Sequence, residues 1–255
     1  FHYHLLSVAL EQSNAVEHAE NWLKNNSNKI YHSRLNFELA KYFFKKQHVD
    51  ASIQAYQKIS IDDLENKELA LMQFQLGYLF FKKGDWDQST SYLMSIRQVQ
   101  TSPFYTDANY YAGFVALQQK DFKLALSCFK IAEQNKAYST LTPFYISQLY
   151  YFLGDVDAAI KNTEQALLKS GQYYTNQLAQ LMGHLLFEQK QYEKALPYLA
   201  NYVKSQKQVE SQDLYQLSFC YFQAQQWNDA IQGFKQLANV EDSLGQNSMY
   251  LLATS

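Results

Sequence analysis

The 255-residue sequence has little proline, glycine and cysteine. Its 8 glycines and 3 prolines are too few for the tight corners of a many-stranded sheet, which argues against an all-β fold. Cys128 and Cys220 are its only cysteines, which excludes a disulfide framework and a structural zinc site. No apolar run approaches the roughly 20 residues that cross a bilayer, so we expect no membrane insertion by this segment.

No charge of one sign dominates. Lys and Arg number 22 against 24 for Asp and Glu, so the net charge of -2 creates no overall field that would favour nucleic acid. Hydrophobic residues make up 47% and charged residues 18%, a composition that excludes a disordered chain. Aromatic residues reach 16%, with 21 Tyr and 17 Phe, so a large surface rich in rings can form.

A regular repeat organises the whole chain. A small residue recurs every 34 to 37 positions, and a second small residue follows it by twelve positions wherever the chain is long enough. The first set is Ala40, Gly77, Gly113, Ser147, Gly183, Ser218 and Ala253; the second is Ser52, Ser89, Ala125, Ala159, Ala195 and Ala230. We call these the first and second anchors.

Each pair of anchors predicts a helical hairpin. Apolar residues on both sides follow a three-and-four spacing, as in Leu76, Phe80 and Phe81, which is typical of a packed helix. A larger residue stands four positions after most second anchors and is expected to fill the gap beside them: Tyr56, Leu93, Phe129, Leu199 and Phe234. Short polar segments between the anchors predict turns near Gly84, Lys120, Gly154, Lys190 and Gln225.

The period, the leucine-then-small pair of Leu39-Ala40 or Leu76-Gly77, and the Gly84-Asp85-Trp86 corner resemble the tetratricopeptide repeat. The resemblance implies an all-α fold, an α-α superhelical solenoid of about six complete hairpins with partial units at both ends. We expect one solenoid over 1–255, a segment of a longer chain. The expected units are 1–32 (partial), 33–69, 70–105, 106–139, 140–175, 176–210, 211–245 and 246–255 (partial).

The segment from Asp242 to Leu252 is similar to parts of long multi-repeat proteins of this family from Bacteroidetes bacteria. Many of those are envelope proteins. This resemblance implies that the protein is located in a bacterial cell envelope or periplasm. A cytoplasmic location is the alternative.

In the tetratricopeptide family the first helix of each hairpin lines a concave surface. Residues three before, one after and four after each first anchor would face it. The candidate partner-binding residues from this register are Phe37, Lys41, Phe44, Phe74, Tyr78, Phe81, Tyr110, Phe114, Tyr151, His184, Phe187, Tyr215, Phe219 and Phe222.

The sequence offers no constellation for catalysis. No two of its six histidines lie at the helical spacing of a zinc-hydrolase motif, and no Gly-rich phosphate loop occurs. Both cysteines lie in apolar helical segments, where a buried thiol is expected. We therefore expect no catalytic residue, metal or cofactor and no enzymatic activity. We expect His184 to be a polar contact of the groove.

These observations favour a non-enzymatic scaffold that binds a peptide or protein segment in an aromatic groove. One alternative is a sensory or regulatory module of a larger signalling protein whose catalytic or output domain lies outside this segment. A helical-repeat RNA reader is disfavoured because its groove would be basic. The rings could also serve only to pack neighbouring helices, and the oligomeric state stays open.

Overall fold

The computed structural model describes residues 1–169, 171–238 and 243–254. Over these residues all regular structure is helical, which confirms the all-α prediction. It comprises one short 3-10 helix, Ile61–Asp63, and fifteen α-helices. These are α1 His2–Ala9, α2 Ala15–Asn25, α3 Lys29–Lys45, α4 Val49–Gln57, α5 Asn66–Lys83, α6 Trp86–Arg97, α7 Tyr105–Gln118, α8 Phe122–Ala132, α9 Thr142–Phe152, α10 Val156–Leu168, α11 Thr175–Glu188, α12 Tyr192–Ser205, α13 Ser211–Gln223, α14 Trp227–Leu237 and α15 Ser243–Thr254.

The chain forms two compact units, Phe1–Asp121 with α1 to α7 and Phe122–Ser255 with α8 to α15. In the first unit α3 packs against α4, and α5 against α6. In the second unit α9 packs against α10, α11 against α12, and α13 against α14. The sequence unit expected over 211–245 runs across 239–242, and both Asp242 and the final residue, Ser255, lie outside the described residues.

The corner of each hairpin has one residue in the left-handed backbone region. The five expected corner residues adopt positive φ angles of 74° at Gly84, 60° at Lys120, 81° at Gly154, 58° at Lys190 and 60° at Gln225. Such a residue ends one helix and reverses the chain, and glycine adopts this conformation without steric cost. The expected turns are confirmed.

Small anchors bring the two helices of a hairpin close together. A Cβ atom added to Gly77 would lie 2.7 Å from the Leu93 side chain, and one added to Gly183 would lie 2.6 Å from Leu199. The first six first anchors and all six second anchors are buried, whereas Ala253 on α15 is exposed. The expected gap-filling residues are completely buried: Tyr56, Leu93, Phe129, Leu199 and Phe234.

The fixed offset of twelve residues has a direct structural cause in the first unit. The Ser52 hydroxyl donates to the Ala40 carbonyl at 2.9 Å, and the Ser89 hydroxyl donates to the Gly77 carbonyl at 2.8 Å. Each second anchor therefore lies directly beside the backbone of its first anchor. A larger side chain at either position would push the helices apart.

Candidate functional site

Four of the fourteen candidate residues, Phe44, Phe74, Tyr78 and Phe81, lie in a group of rings in the first unit. We name Phe44, Phe74, Tyr78, Phe81, Phe104 and Tyr111 the first ring cluster. Tyr111 is at its centre, with ring centroids 4.9 Å from Tyr78, 5.4 Å from Phe81 and 6.2 Å from Phe74. The cluster joins α3, α5 and α7, because Tyr78 on α5 lies 5.7 Å from Phe44 on α3 and also contacts Tyr111 on α7. Phe104, just before α7, stacks on Phe74 at 5.0 Å.

Four members of the first ring cluster, Phe44, Phe74, Tyr78 and Tyr111, line a cavity of about 320 Å³. Rings supply most of the apolar wall, and two ammonium groups and an amide stand among the lining residues. The lining consists of Phe44, Lys45, Gln47, Val49, Phe74, Tyr78, Leu79, Lys82 and Tyr111. A cavity of this size holds one large side chain of a partner.

The sequence register missed Tyr111, the central residue of this cluster. It stands two positions before Gly113, and residues at that position pack toward the preceding hairpin. Gln75, at the matching position before Gly77, accepts a hydrogen bond from the Tyr56 hydroxyl at 2.5 Å. An aromatic residue two positions before a first anchor therefore predicts a ring inserted toward the preceding hairpin. That signal in the sequence would have found Tyr111.

Burial raises the pKa of Tyr111 to about 12, and the phenols of Tyr78 and Tyr110 and the carboxylate of Asp107 add to the shift. Neither the Tyr78 nor the Tyr111 hydroxyl has a hydrogen-bond partner within the described part of the chain. These hydroxyls are therefore open to a bound partner.

Phe37 does not belong to the ring surface. It is 3% exposed and packs edge-on against Tyr56 at 6.0 Å, so its place is in the core of the first unit. Lys41 covers it, with the ammonium 5.1 Å from the ring centroid. Two other candidates lie at the α7 edge of the cluster: Phe114 is 6.4 Å from Phe81, and Tyr110 is 5.1 Å from Phe114.

The second unit contains its own group of rings. We name Phe187, Tyr192, Tyr215, Phe219, Phe222 and Trp227 the second ring cluster. Phe219 is central, at 5.6 Å from Phe187, 5.1 Å from Tyr192 and 6.3 Å from Phe222. Tyr192 and Trp227 are the first residues of α12 and α14, so the start of each of these second helices contributes a ring to the cluster.

His184 lies beside a buried carboxylate. Its Nε2 atom is 2.5 Å from Oδ1 of Asp213, whose side chain is 2% exposed. The Gln180 amide donates to both oxygens of the same carboxylate, at 3.1 and 2.9 Å. His184 and Gln180 on α11 thus satisfy Asp213 on α13, and they join two successive first helices through polar contacts.

Tyr151 is also bonded to a neighbouring first helix, because its hydroxyl donates a hydrogen bond to Glu188 on α11 at 2.7 Å. This bond raises the pKa of Tyr151. Apart from buried Phe37, the fourteen candidates are half-buried. Their rings therefore both pack against neighbouring helices and present surface.

Within the described ranges no group of three or more His, Cys, Asp or Glu side chains is placed to hold a metal ion. The thiols of Cys128 and Cys220 are free and buried, and burial raises the pKa of Cys220 to about 12. No helix in the described part of the chain has the length and apolar character needed to cross a membrane.

A model of the tetratricopeptide-repeat family matches residues 214–240. No curated protein matches the chain in sequence.

Solved structures match with low sequence identity. PilF of Pseudomonas aeruginosa superposes with a TM-score of 0.59 at 13% identity, covering 88% of this chain and 99% of PilF. A crystal structure of MamA has a TM-score of 0.55 at 17% identity, covering 65% of this chain and 93% of MamA. MamA AMB-1 has a TM-score of 0.56 at 15% identity, and the match covers 71% of this chain and 93% of MamA. The matched repeat and the shared architecture identify this chain as a protein of the tetratricopeptide-repeat fold.

Proposed function

We propose that the chain is a non-enzymatic scaffold that binds a segment of another protein on its first-helix rings. The observation that carries this proposal is the first ring cluster with its cavity of about 320 Å³. Stacked helical hairpins commonly serve protein binding, because their side chains vary over one constant backbone. Half-buried rings suit such binding, since they offer large contact area at little cost in side-chain entropy.

The chemistry of the reactive side chains supports a binding role. His184 is engaged by Asp213 rather than directed at an open site. The raised pKa of Cys220, about 12, keeps its thiol protonated, and a protonated thiol is a poor nucleophile. Nucleic acid is a weaker candidate, because most lysines near the first ring cluster are paired with carboxylates.

The proposal is tested by affinity capture with the intact chain and with ring variants. The double variant Tyr78→Gln, Phe81→Gln removes two rings of the first cluster, and Tyr3→Gln replaces a ring that is 65% exposed on α1 as the matched control. Each anchoring ring of an interface contributes roughly 1 to 3 kcal/mol, so the double variant should lose most of the captured partner. Circular dichroism sets the folded fraction to which binding is normalised.

If the rings only pack helices together, the double variant melts at a lower temperature but its folded fraction keeps full binding. That result would contradict the proposal, as would capture dominated by nucleic acid. Turnover of a bound partner by the purified chain would contradict the non-enzymatic part.

A further inference from the structure

Charges around the first ring cluster are distributed unevenly. Five lysines stand at the C-terminal ends of α3 and α5, and four are paired with carboxylates. Lys41 pairs with Glu38 at 2.7 Å, Lys45 and Lys46 share Glu11, and Lys83 pairs with Asp50 at 2.6 Å. Lys82 is the fifth.

Lys82 has no carboxylate partner among the residues that the structure describes. Its ammonium lies 5.9 Å from the Tyr78 ring centroid, and the residue lines the cavity. Tyr78 and Tyr111, whose hydroxyls are unpaired within the described part of the chain, line the same cavity. No carboxylate is among the described lining residues, so the charged groups that an entering segment meets are ammonium groups, beside the Gln47 amide and apolar rings.

We propose that this cavity binds an apolar side chain of an internal peptide segment, and that an adjacent Asp or Glu side chain of that segment pairs with Lys82. This inference rests on the proposed function and gives the chemistry of the bound segment. A carboxylate matches the one unpaired ammonium, that of Lys82, in charge and can accept hydrogen bonds from it and from the two phenols. A phosphate carries close to two negative charges, which one unpaired lysine does not balance.

The carboxylate belongs to a side chain rather than to a chain end. The ring surface does not stop at the cavity but continues on the α7 side through Phe81, Phe114 and Tyr110. A peptide that fills the cavity therefore has a ring surface to continue along on the α7 side. An acid on a side chain lets the segment use the cavity, Lys82 and this surface together.

The test uses a library of random short peptides, each held at both ends inside a display protein so that no free carboxyl terminus is present. Selection on the intact chain should enrich peptides that carry an aromatic or aliphatic residue next to Asp or Glu. Selected peptides are then synthesised with blocked ends, each beside a version with Asn or Gln in place of the acid. The acidic version should bind about fivefold more tightly, as expected for a solvent-exposed ion pair.

Lys82→Gln removes the charge from an exposed position, so the fold is retained. It should bring the acidic and amide peptides to equal affinity. Lys58→Gln removes an exposed lysine at the end of α4, outside the cavity, and should leave the difference unchanged.

Enrichment of peptides without acidic residues would overturn this inference, as would an acid preference that survives Lys82→Gln. The proposed function would stand in either case if the ring double variant still abolished binding. Tighter binding of the same peptides with a free carboxyl terminus and no acidic side chain would assign the site to chain ends instead. If no peptide is enriched on the intact chain, both proposals fail.

Discussion

The two ring clusters are built on one repeat register but differ in what surrounds the rings. In the first cluster Tyr111 inserts between first helices, its hydroxyl stays unpaired, and lysines stand at the rim of a cavity. In the second unit the positions on α11 that match Phe74 and Tyr78 are Gln180 and His184, which bind the buried Asp213. The first cluster leaves hydroxyl and ammonium groups without a partner in the described part of the chain, whereas the second unit pairs the polar side chains of Gln180, His184 and Asp213 with one another.

The anchors are far less variable than the rings. Gly77 against Leu93 and Gly183 against Leu199 show nearly the same close approach in the two units, 2.7 and 2.6 Å for an added Cβ atom. Close packing therefore constrains the anchors, while the surface residues a few positions away are free to change. Stability should respond most to the anchors, and binding to the rings.

The largest expected effect comes from filling an anchor. Gly183→Leu places a branched side chain against Leu199, and Gly77→Leu does the same against Leu93; each should lower the free energy of unfolding by about 3 kcal/mol or more. Urea unfolding measures the loss. Hydrogen exchange should show reduced protection in α11 and α12 for the first variant and in α5 and α6 for the second. Equal loss along both units from one variant would contradict this prediction.

The next largest loss of stability is expected when the polar contacts that distinguish the second unit are removed. His184→Ala leaves the Asp213 carboxylate with Gln180 as its remaining side-chain donor, and it should destabilise the protein by about 2 kcal/mol. His184→Gln keeps a donor at the same position and should cost less. Thermal unfolding at neutral pH compares them, and equal loss in the two variants would show that the carboxylate contact contributes nothing.

A smaller effect concerns the serine bond, which is present in the first unit and replaced by alanine in the second. Ser89→Ala removes the hydrogen bond to the Gly77 carbonyl and should cost about 1 kcal/mol. Ala195→Ser places a hydroxyl at the matching position beside Gly183 and should be close to neutral. A loss of several kcal/mol in the second variant would show that the two hairpins are packed differently.

The smallest effect is a change in alkaline stability. Because burial raises the Tyr111 pKa from an ordinary value of about 10 to about 12, its contribution to stability is complete below about pH 10 and is lost as the pH rises toward 12. Tyr111→Phe has no phenol to ionise, so its unfolding midpoint should fall less steeply above pH 10 than that of the wild type. Tyr3→Phe is the exposed control. Parallel pH profiles of wild type and Tyr111→Phe would contradict the burial of this phenol.

The repeat made most of the fold predictable. Hairpin corners at Gly84, Lys120 and Gln225 followed from polar segments between anchors, since only a tight turn fits between two helices so close in sequence. The site was less predictable. The register placed Phe37 on the surface although it is core, and it omitted Tyr111 because that position faces the preceding hairpin.

The sequence by itself determined the helical hairpins, because a small residue recurring at a constant offset permits close helix packing at the same place in each repeat. It also determined that rings are abundant on the first helices. Tertiary structure decided which rings enclose a cavity, which lysine remains without a carboxylate, and that His184 meets Asp213 from a different helix. Those outcomes depend on distances between side chains about 30 residues apart, such as the 29 residues between His184 and Asp213, and a local pattern does not contain such distances.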